Sequence, residues 1–315
     1  MSDASKFQIL SIDGGGIRGI FSAALLAAIE EDEDVRITDH FDLIAGTSTG
    51  GIIAIALGLG MRPKDILQFY LDHGPTIFAN PLRARSIQHW VRRKYSGEEL
   101  KASIRATFGE KLFGASTKRL VVPAFNIGEN AVYVFRTPHI ESLKRDYRVP
   151  AWKVAMATAA APTYFPAFKE LDGLRLVDGG VWANNPAMVA IAEAIGPLGV
   201  SLDSVSLLSI GSITALRRYP GRLDWGGLVI WARRASELIV DASGIGVSNQ
   251  AAFLLTEARH LRISPMGHEN DVNLDSTRES SQLVARARHH SRHHMPAINE
   301  RFLAHLAPSY EPCHR

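Results

Sequence analysis

Short apolar segments alternate with longer helix-like segments along the first two thirds of the chain. The short segments, "FQILSI", "HFDLIAG", "KRLVVPAFNI", "AVYVFRT", "GLRLVDGG" and "SVSLLSIG", are typical of buried strands. The segments "IRGIFSAALLAAIEE", "TGGIIAIALGL", "AWKVAMATAAA" and "PAMVAIAEAI" predict helices, because their apolar residues recur at helical spacing or continuously. This alternation favours an α/β protein with three layers (α/β/α), whose central, mostly parallel sheet is covered by helices on both faces.

Two other regions are helical in character. Residues 62–117 are basic and contain "RPKDILQFYLDH" and "SGEELKASIRATF", which predicts a helical cap over the edge of the sheet. Residues 222–310 read as a helical C-terminal part. No repeat or low-complexity linker separates these regions from the strand-rich part at residues 7–190, so we expect one domain over residues 1–315.

Composition narrows the class of partner. Of the 315 residues, 46% are hydrophobic and 21% are charged, which is an ordinary globular balance. The formal net charge of +3 favours anionic partners such as a phospholipid surface or a nucleotide. No basic patch coincides with a nucleic-acid-binding motif, so neither DNA nor RNA is an expected partner.

The cysteine content and the N-terminus predict a cytoplasmic protein. Cys313 is the only cysteine, so no intrachain disulfide can form. The N-terminal "MSDASKFQIL" lacks the basic and long apolar regions of a secretory signal. The longest apolar stretch, "IAGTSTGGIIAIALGLG", is rich in glycine, serine and threonine and shorter than a membrane span. We therefore expect contact with a membrane only from the inner surface.

The first candidate site is Ser48 in "GTSTG". It follows a predicted strand and precedes a predicted helix, which is the context of a nucleophilic serine on a sharp turn. Gly46 and Gly50 frame it, and the N–H of Thr49 lies at the start of the helix, where developing negative charge is favoured. The alternative is a small-residue turn that allows a helix to pack closely on a strand.

The second candidate is the loop "DGGGIRG", Asp13 to Gly19. Its consecutive glycines expose backbone N–H groups that can stabilise an oxyanion. The loop also satisfies G-x-G-x-x-G, the dinucleotide-binding pattern. That pattern requires an acidic residue at the end of the second strand. Here the acidic run lies at the end of a helix, and the second strand leads into the serine turn.

The third candidate is Asp178 in "LVDGGVWANNP". It ends a predicted strand and is followed by Gly179 and Gly180, a sequence that also suits an ordinary turn. Beside a nucleophilic serine and a glycine loop, this carboxylate is the natural general base.

The three motifs, in this order, resemble the patatin-like phospholipase family. The resemblance covers Asp13 to Pro186 and implies hydrolysis of lipid acyl esters by a Ser–Asp dyad. It implies that Ser48 is the nucleophile and Asp178 the base. It also implies that an oxyanion hole is lined by Gly14, Gly15, Gly16 and Thr49. The other motif positions are Asp13, Arg18, Gly19, Gly46, Gly50, Gly179 and Gly180. Arg18 matches the family's arginine and is expected to hold the loop.

A histidine could instead complete a triad. His260 and His268 follow Asp178 in the order that α/β-hydrolases use. His260 lies in "EARHLRIS", where a position at a strand edge or on the surface is the better interpretation.

Three weaker features concern other ligands. The run "RARHHSRHH", residues 286–294, could bind a metal or an anion but suits a solvated helix face. No acidic cluster accompanies the serine motifs, so we expect neither metal nor cofactor. The cap carries basic residues around an aromatic one, which predicts membrane docking: Arg83, Arg85, Trp90, Arg92, Arg93 and Lys94.

These features give one main hypothesis and two alternatives. The main hypothesis is a cytoplasmic phospholipase that acts on membranes. The alternatives are a broad esterase or thioesterase and a non-catalytic nucleotide-binding module.

The main hypothesis also includes activation by a cyclic dinucleotide or a related cyclic oligonucleotide in anti-phage defence, and it leaves oligomerisation open. It rests on the resemblance and on arginines suited to phosphate binding: Arg217, Arg218, Arg222, Arg233 and Arg234.

Overall fold

The computed structural model describes residues 6–77, 95–216, 221–225, 227, 231, 235–268 and 280–315. The strands are β1 (Phe7–Ile12), β2 (Leu43–Gly46), β3 (Arg119–Asn126), β4 (Ala131–Arg136), β5 (Leu176–Asp178), β6 (Val205–Ile210), β7 (Thr214–Leu216), β8 (His260–Ile263) and β9 (Met266–His268). The helices are α1 (Gly19–Glu33), α2 (Thr49–Gly58), α3 (Pro63–Ile77), α4 (Glu98–Phe108), α5 (Ala151–Thr158), α6 (Gly180–Ala183), α7 (Ala187–Ile195), α8 (Ala235–Arg259) and α9 (Ser280–Ile298). A π-helical turn, Asn299–Leu303, follows α9.

The central sheet has the strand order β4-β3-β2-β1-β6-β8, and β5 pairs with β3. Strands β3, β2, β1, β6 and β8 are parallel, whereas β4 and β5 run antiparallel to β3. Ile12 pairs with Gly46 on one side and with Ile210 on the other, so the carboxyl ends of three neighbouring strands are level. The loops that follow these strands therefore meet at one edge of the sheet.

Helices cover both faces of the sheet, so the predicted three-layer α/β/α fold is confirmed. On β1, the side chains of Leu10 and Ile12 pack in the core that contains α1, α2, α5 and α9. Ile9 lies in a second core formed with α7 and α8, because alternate residues of a strand point to opposite faces. Both cores are made of side chains that are almost fully buried.

The two regions predicted to be helical agree with the structure only in part. The described parts of residues 62–117 contain α3, α4 and a short 3-10 helix. The C-terminal part contains α8 and α9, but it also contributes the edge strand β8 and the short strand β9. The described C-terminal part is therefore mainly helical, with two short strands. The segment "HLRI" joins the sheet because it pairs with β6, about 50 residues earlier in the chain.

Candidate active site

Ser48 lies on a sharp turn between β2 and α2. Its backbone has φ 56° and ψ −124°, a left-handed conformation that a residue with a side chain rarely adopts. A Cβ atom on Gly46 would lie 2.1 Å from the Gly50 carbonyl oxygen, and one on Gly50 would lie 2.2 Å from the Ile12 carbonyl oxygen. The two flanking glycines are therefore needed because the turn is packed against backbone on both sides.

Asp178 ends β5 and is almost fully buried. Its carboxylate accepts a hydrogen bond from the Gly180 N–H at 2.7 Å, and the Ser48 hydroxyl lies beside it. Burial raises the pKa of this carboxyl group to about 6, although the Ser48 hydroxyl and the Gly180 N–H oppose the shift by favouring the ionised form. The structure thus places the predicted nucleophile next to the predicted base.

The C-terminal end of α5 holds both residues in place. The Ser48 N–H donates to the Thr158 Oγ1 atom at 3.0 Å, and the Thr158 hydroxyl donates to the Pro123 carbonyl at 2.6 Å. The Asp178 N–H donates to the Ala160 carbonyl at 3.0 Å. Sequence reasoning missed Thr158, because nothing local distinguishes it within the small-residue segment "AWKVAMATAAA".

The glycine loop lies beside Ser48, but two of its N–H groups are already engaged. The Gly14 N–H donates to the Asn184 carbonyl at 2.9 Å, and the Gly15 N–H donates to the Thr49 Oγ1 atom at 3.1 Å. The N–H groups of Gly16 and Thr49 have no acceptor among the described residues. Of the four N–H donors that the motifs predicted for the oxyanion hole, two therefore remain available to an oxyanion.

Asn184 is a second residue that sequence reasoning missed. Its carbonyl accepts the Gly14 N–H, and its side-chain amide lies 3.4 Å from the Gly14 carbonyl oxygen. A Cβ on Gly14 would lie 2.4 Å from the Asn184 Oδ1 atom and 3.2 Å from the Ser48 Cβ atom. Asn184 therefore couples the segment that follows Asp178 to the glycine loop, and a side chain on Gly14 would not fit.

Arginines fix both ends of the glycine loop. Arg18 donates to the carbonyl of Gly15 at 3.2 Å and to that of Ile213 at 2.5 Å, so the role expected for it agrees with its contacts. Asp13 is buried and forms a two-bond ion pair with Arg262 of β8, at 2.9 and 2.5 Å. A buried carboxylate requires such a partner. Arg262 was not predicted, because it lies far from Asp13 in sequence.

His260 lies at the opposite end of the sheet from the serine turn. It is the first residue of β8 and pairs with Leu207, whereas the site follows Ile210, three residues further along β6. At about 3.3 Å per residue this is a separation of roughly 10 Å along the strands. Burial and the charge of Arg262 also lower the pKa of His260 to about 4. The expectation of a strand-edge position agrees with the structure, and His260 contacts neither Ser48 nor Asp178.

Several predicted ligand-binding residues lie outside the described part of the chain. They are the basic and aromatic cap residues Arg83, Arg85, Trp90, Arg92, Arg93 and Lys94, the arginines Arg217, Arg218, Arg233 and Arg234, and the side chains of Arg222 and His268. The run at residues 286–294 lies within α9, where His290 packs edge-on against Phe21. Within the described residues, no three histidine, cysteine, aspartate or glutamate side chains are grouped to hold a metal ion.

The comparison with known families defines the class of this protein as a carboxylic ester hydrolase. The family model of the patatin-like phospholipases matches residues 10–191. The chain belongs to the patatin-like phospholipase family, as the three motifs predicted.

Two bacterial relatives carry a more specific name. A cGAMP-activated phospholipase of Pseudomonas aeruginosa is 32% identical over 253 residues, which cover 79% of this chain and 75% of that protein. A cGAMP-activated phospholipase of Escherichia coli is 33% identical over 226 residues, which cover 67% of this chain and 63% of that protein. Among solved structures, VipD from Legionella pneumophila aligns with 95% of this chain and 67% of its own, with a TM-score of 0.49 and 14% identity.

Proposed function

We propose that this protein cleaves fatty acyl esters of membrane phospholipids with Ser48 as the nucleophile and Asp178 as the general base. One observation carries the proposal: the Ser48 hydroxyl, on its strained turn, lies beside a buried carboxylate whose pKa is raised to about 6. A carboxylate of ordinary pKa is a poor base for a hydroxyl group, and burial makes this one stronger.

The first half of the reaction forms an acyl-enzyme. The Ser48 oxygen attacks the ester carbonyl carbon while its proton passes to Asp178. The carbonyl oxygen becomes an oxyanion, which the N–H groups of Gly16 and Thr49 stabilise together with the N-terminal end of α2. Collapse of this intermediate breaks the bond to the alcohol oxygen, and Asp178 returns its proton to the departing lysophospholipid.

The second half releases the fatty acid. Water attacks the acyl-serine carbonyl carbon and gives a proton to Asp178. The second oxyanion occupies the same position as the first. Its collapse breaks the bond to the Ser48 oxygen, which regains its proton from Asp178. The fatty acid leaves, and the dyad returns to its initial state.

The pKa of Asp178 predicts how activity depends on pH. Only the ionised carboxylate can accept the serine proton, so we expect kcat/KM to fall as pH decreases through about 6, about tenfold per pH unit below it. Ester hydrolysis measured with a soluble ester across this range tests the prediction. A profile that stays flat well below pH 6 would show that Asp178 is not the base, provided that the protein remains folded.

An exposed apolar face of α8 supports the proposal that this protein acts at a membrane surface. Ile239, Ile245 and Phe253 are 59%, 56% and 86% exposed. Successive residues of a helix are about 100° apart, so these side chains fall within roughly 120° of one another. The stretch Leu238–Arg259 is apolar in composition, and its helix is interrupted at Thr256, where φ is 61° and ψ 165°. The Gly244 carbonyl of α8 accepts a hydrogen bond from the Asn185 side chain at 3.4 Å, so α8 itself lies beside the segment that follows Asp178.

Replacing Phe253 with serine tests this assignment. We expect a several-fold lower rate on phospholipid vesicles and an unchanged rate on a dispersed short-chain ester, because the apolar contribution to surface binding is lost while the dyad is untouched. Leu306→Ser is the matched control, since Leu306 is 70% exposed but lies near the C-terminus. A constitutive esterase or thioesterase for soluble substrates would instead prefer the dispersed ester, and Phe253→Ser would leave both rates unchanged.

We further propose that a cyclic dinucleotide or a related cyclic oligonucleotide activates this hydrolase, in the cytoplasm and as part of anti-phage defence. The names of two relatives that are about one third identical support this activator class. An enzyme that attacks membranes from inside the cell requires such control. A panel of cyclic dinucleotides and trinucleotides, added to the vesicle assay, tests the idea. A rate that no member changes would favour a constitutive enzyme.

A further inference from the structure

Arg262 of β8 reaches the glycine loop from outside the part of the chain that the family model matches. That match ends at residue 191, whereas Arg262 lies in an edge strand of the C-terminal part. Its guanidinium group donates two hydrogen bonds to the Asp13 carboxylate, at 2.9 and 2.5 Å, and a third to the Ser209 Oγ atom at 2.7 Å. These contacts hold the side chain across β6, the strand that separates β8 from β1.

The chain leaves room for this side chain at Gly211, the residue that follows β6. A Cβ atom on Gly211 would lie 2.6 Å from the Arg262 Nη2 atom and 2.4 Å from the Ser264 Oγ atom. The Gly211 N–H donates to the Ile263 carbonyl at 2.9 Å, so the chain segments stay paired where the guanidinium group passes. A larger residue at this position would therefore compete with Arg262 for the space through which it reaches Asp13.

The contact between Arg262 and Asp13 is a buried ion pair. The Asp13 side chain is 5% exposed and the Arg262 side chain is 20% exposed. Burial raises the pKa of the Asp13 carboxyl group, and the charge and the hydrogen bonds of Arg262 act in the opposite direction. A buried ion pair is weak evidence for a gain in stability, because desolvation of both charges offsets their attraction. A two-bond contact between arginine and a carboxylate does fix geometry, because both hydrogen bonds are directional.

Asp13 begins the loop that carries the Gly16 N–H, one of the two donors that remain for an oxyanion. The Asp13 N–H donates to the Ile210 carbonyl at 2.9 Å, so the backbone and the side chain of Asp13 are both anchored to the β6–β8 side of the sheet. Arg18, at the other end of the loop, donates to the Ile213 carbonyl on the same side. The Gly16 N–H lies between these two anchors, so a displacement of Asp13 would also displace the donor.

We infer that Arg262 is a positioning residue for the hydrolysis, because through Asp13 it sets where the Gly16 N–H meets the oxyanion. The inference rests on the proposed function, since it assumes acyl transfer to Ser48. The rate depends on the distance from each donor to the oxyanion, and a displacement of about 1 Å can cost about 10²-fold. The C-terminal part of the chain thus supplies a contact that the active site requires, although all three motifs precede it.

Arg262→Met tests the inference through kcat and KM for p-nitrophenyl butyrate. Methionine keeps much of the length of the side chain but loses its charge and its hydrogen bonds. We expect kcat per folded protein to fall about tenfold or more while KM hardly changes, because the affected interaction is made only in the transition state. Arg259→Met is the matched control. Arg259 ends α8 and donates to the Leu202 carbonyl, away from the glycine loop, so its loss should leave kcat per folded protein at the wild-type value.

A double variant separates positioning from stability. Arg262→Met leaves the Asp13 carboxyl group buried without its cation, so this variant should be less stable than the wild type in urea. Asp13→Asn combined with Arg262→Met removes both charges and should regain much of that stability. Its kcat should nevertheless remain low, because asparagine and methionine cannot restore the two-bond contact. The double variant also supplies the measurement when Arg262→Met alone does not fold. The inference is overturned when kcat of a folded Arg262 variant falls no further than that of Arg259→Met, or when kcat recovers together with stability.

The same assay separates this inference from the proposed function. Ser48→Ala should lose activity on p-nitrophenyl butyrate. When Ser48→Ala retains activity, the proposed nucleophile is wrong and the inference about Arg262 fails with it. When activity depends on Ser48 but kcat of Arg262→Met matches that of Arg259→Met, the nucleophile stands and the positioning role alone fails.

Discussion

Ser48→Ala and Ser48→Gly are both expected to abolish acyl hydrolysis, with a loss in kcat that can reach about 10⁶-fold for a serine nucleophile. The two variants should nevertheless differ in stability. Ser48 has φ 56° and ψ −124°, a conformation that strains any residue with a Cβ atom by about 1–3 kcal/mol. Glycine relieves this strain, although its greater conformational entropy favours the unfolded chain by about 0.5–1 kcal/mol.

Urea unfolding of the two variants measures the difference directly. Both lack the serine oxygen, so the loss of its interaction with Asp178 cancels in the comparison. We expect the free energy of unfolding of Ser48→Gly to exceed that of Ser48→Ala by about 1 kcal/mol. Equal stability, or a more stable alanine variant, would contradict the strained turn. Activity in either variant would contradict the nucleophile.

Asp178→Asn is expected to lose activity by about 10⁴-fold and to be more stable than the wild type at neutral pH. The folded-state pKa of Asp178, about 6, lies above the ordinary value of 3.8. The folded protein therefore binds this proton more tightly than the unfolded chain does. Stability falls as pH rises from about 4 to about 6, and above that range the ionised carboxylate destabilises the fold by up to about 3 kcal/mol.

Asparagine removes that charge and still offers an oxygen to the Gly180 N–H, which donates to Asp178 at 2.7 Å. We expect the stability advantage of Asp178→Asn to be largest near about pH 7 and to shrink toward about pH 4, where the wild-type carboxyl group is protonated in the folded state and its charge is no longer buried. Unfolding curves at both pH values measure it. An advantage that does not change with pH would show that burial of the charge is not its cause.

The local part of the fold follows from the sequence, and the contacts between distant segments do not. β1, β2 and β6 were predicted because each is a short, mostly apolar segment. Ser48 and Asp178 were found because glycines beside them mark turns that only small residues permit. The strand β8 was hidden because "HLRI" alternates polar and apolar residues at the sheet edge, and its partner β6 is remote in sequence.

The residues that support the site could not be predicted from the sequence for the same reason. Thr158 holds the Ser48 N–H, Asn184 holds the Gly14 N–H, and Arg262 neutralises Asp13. Each contact joins segments that are remote in the sequence, so no spacing rule could reveal it. The glycine motif located the loop correctly, but only the fold shows which of its N–H groups remain to meet an oxyanion.

Mass spectrometry of phospholipid vesicles treated with this protein tests the central claim most directly. Wild-type protein, with and without a panel of cyclic oligonucleotides, is compared with Ser48→Ala under the same conditions. The account predicts that wild-type protein releases free fatty acid and lysophospholipid in equal amounts in at least one condition, and that Ser48→Ala releases neither. Equal release by both proteins, or no release by wild-type protein under any condition, would contradict it.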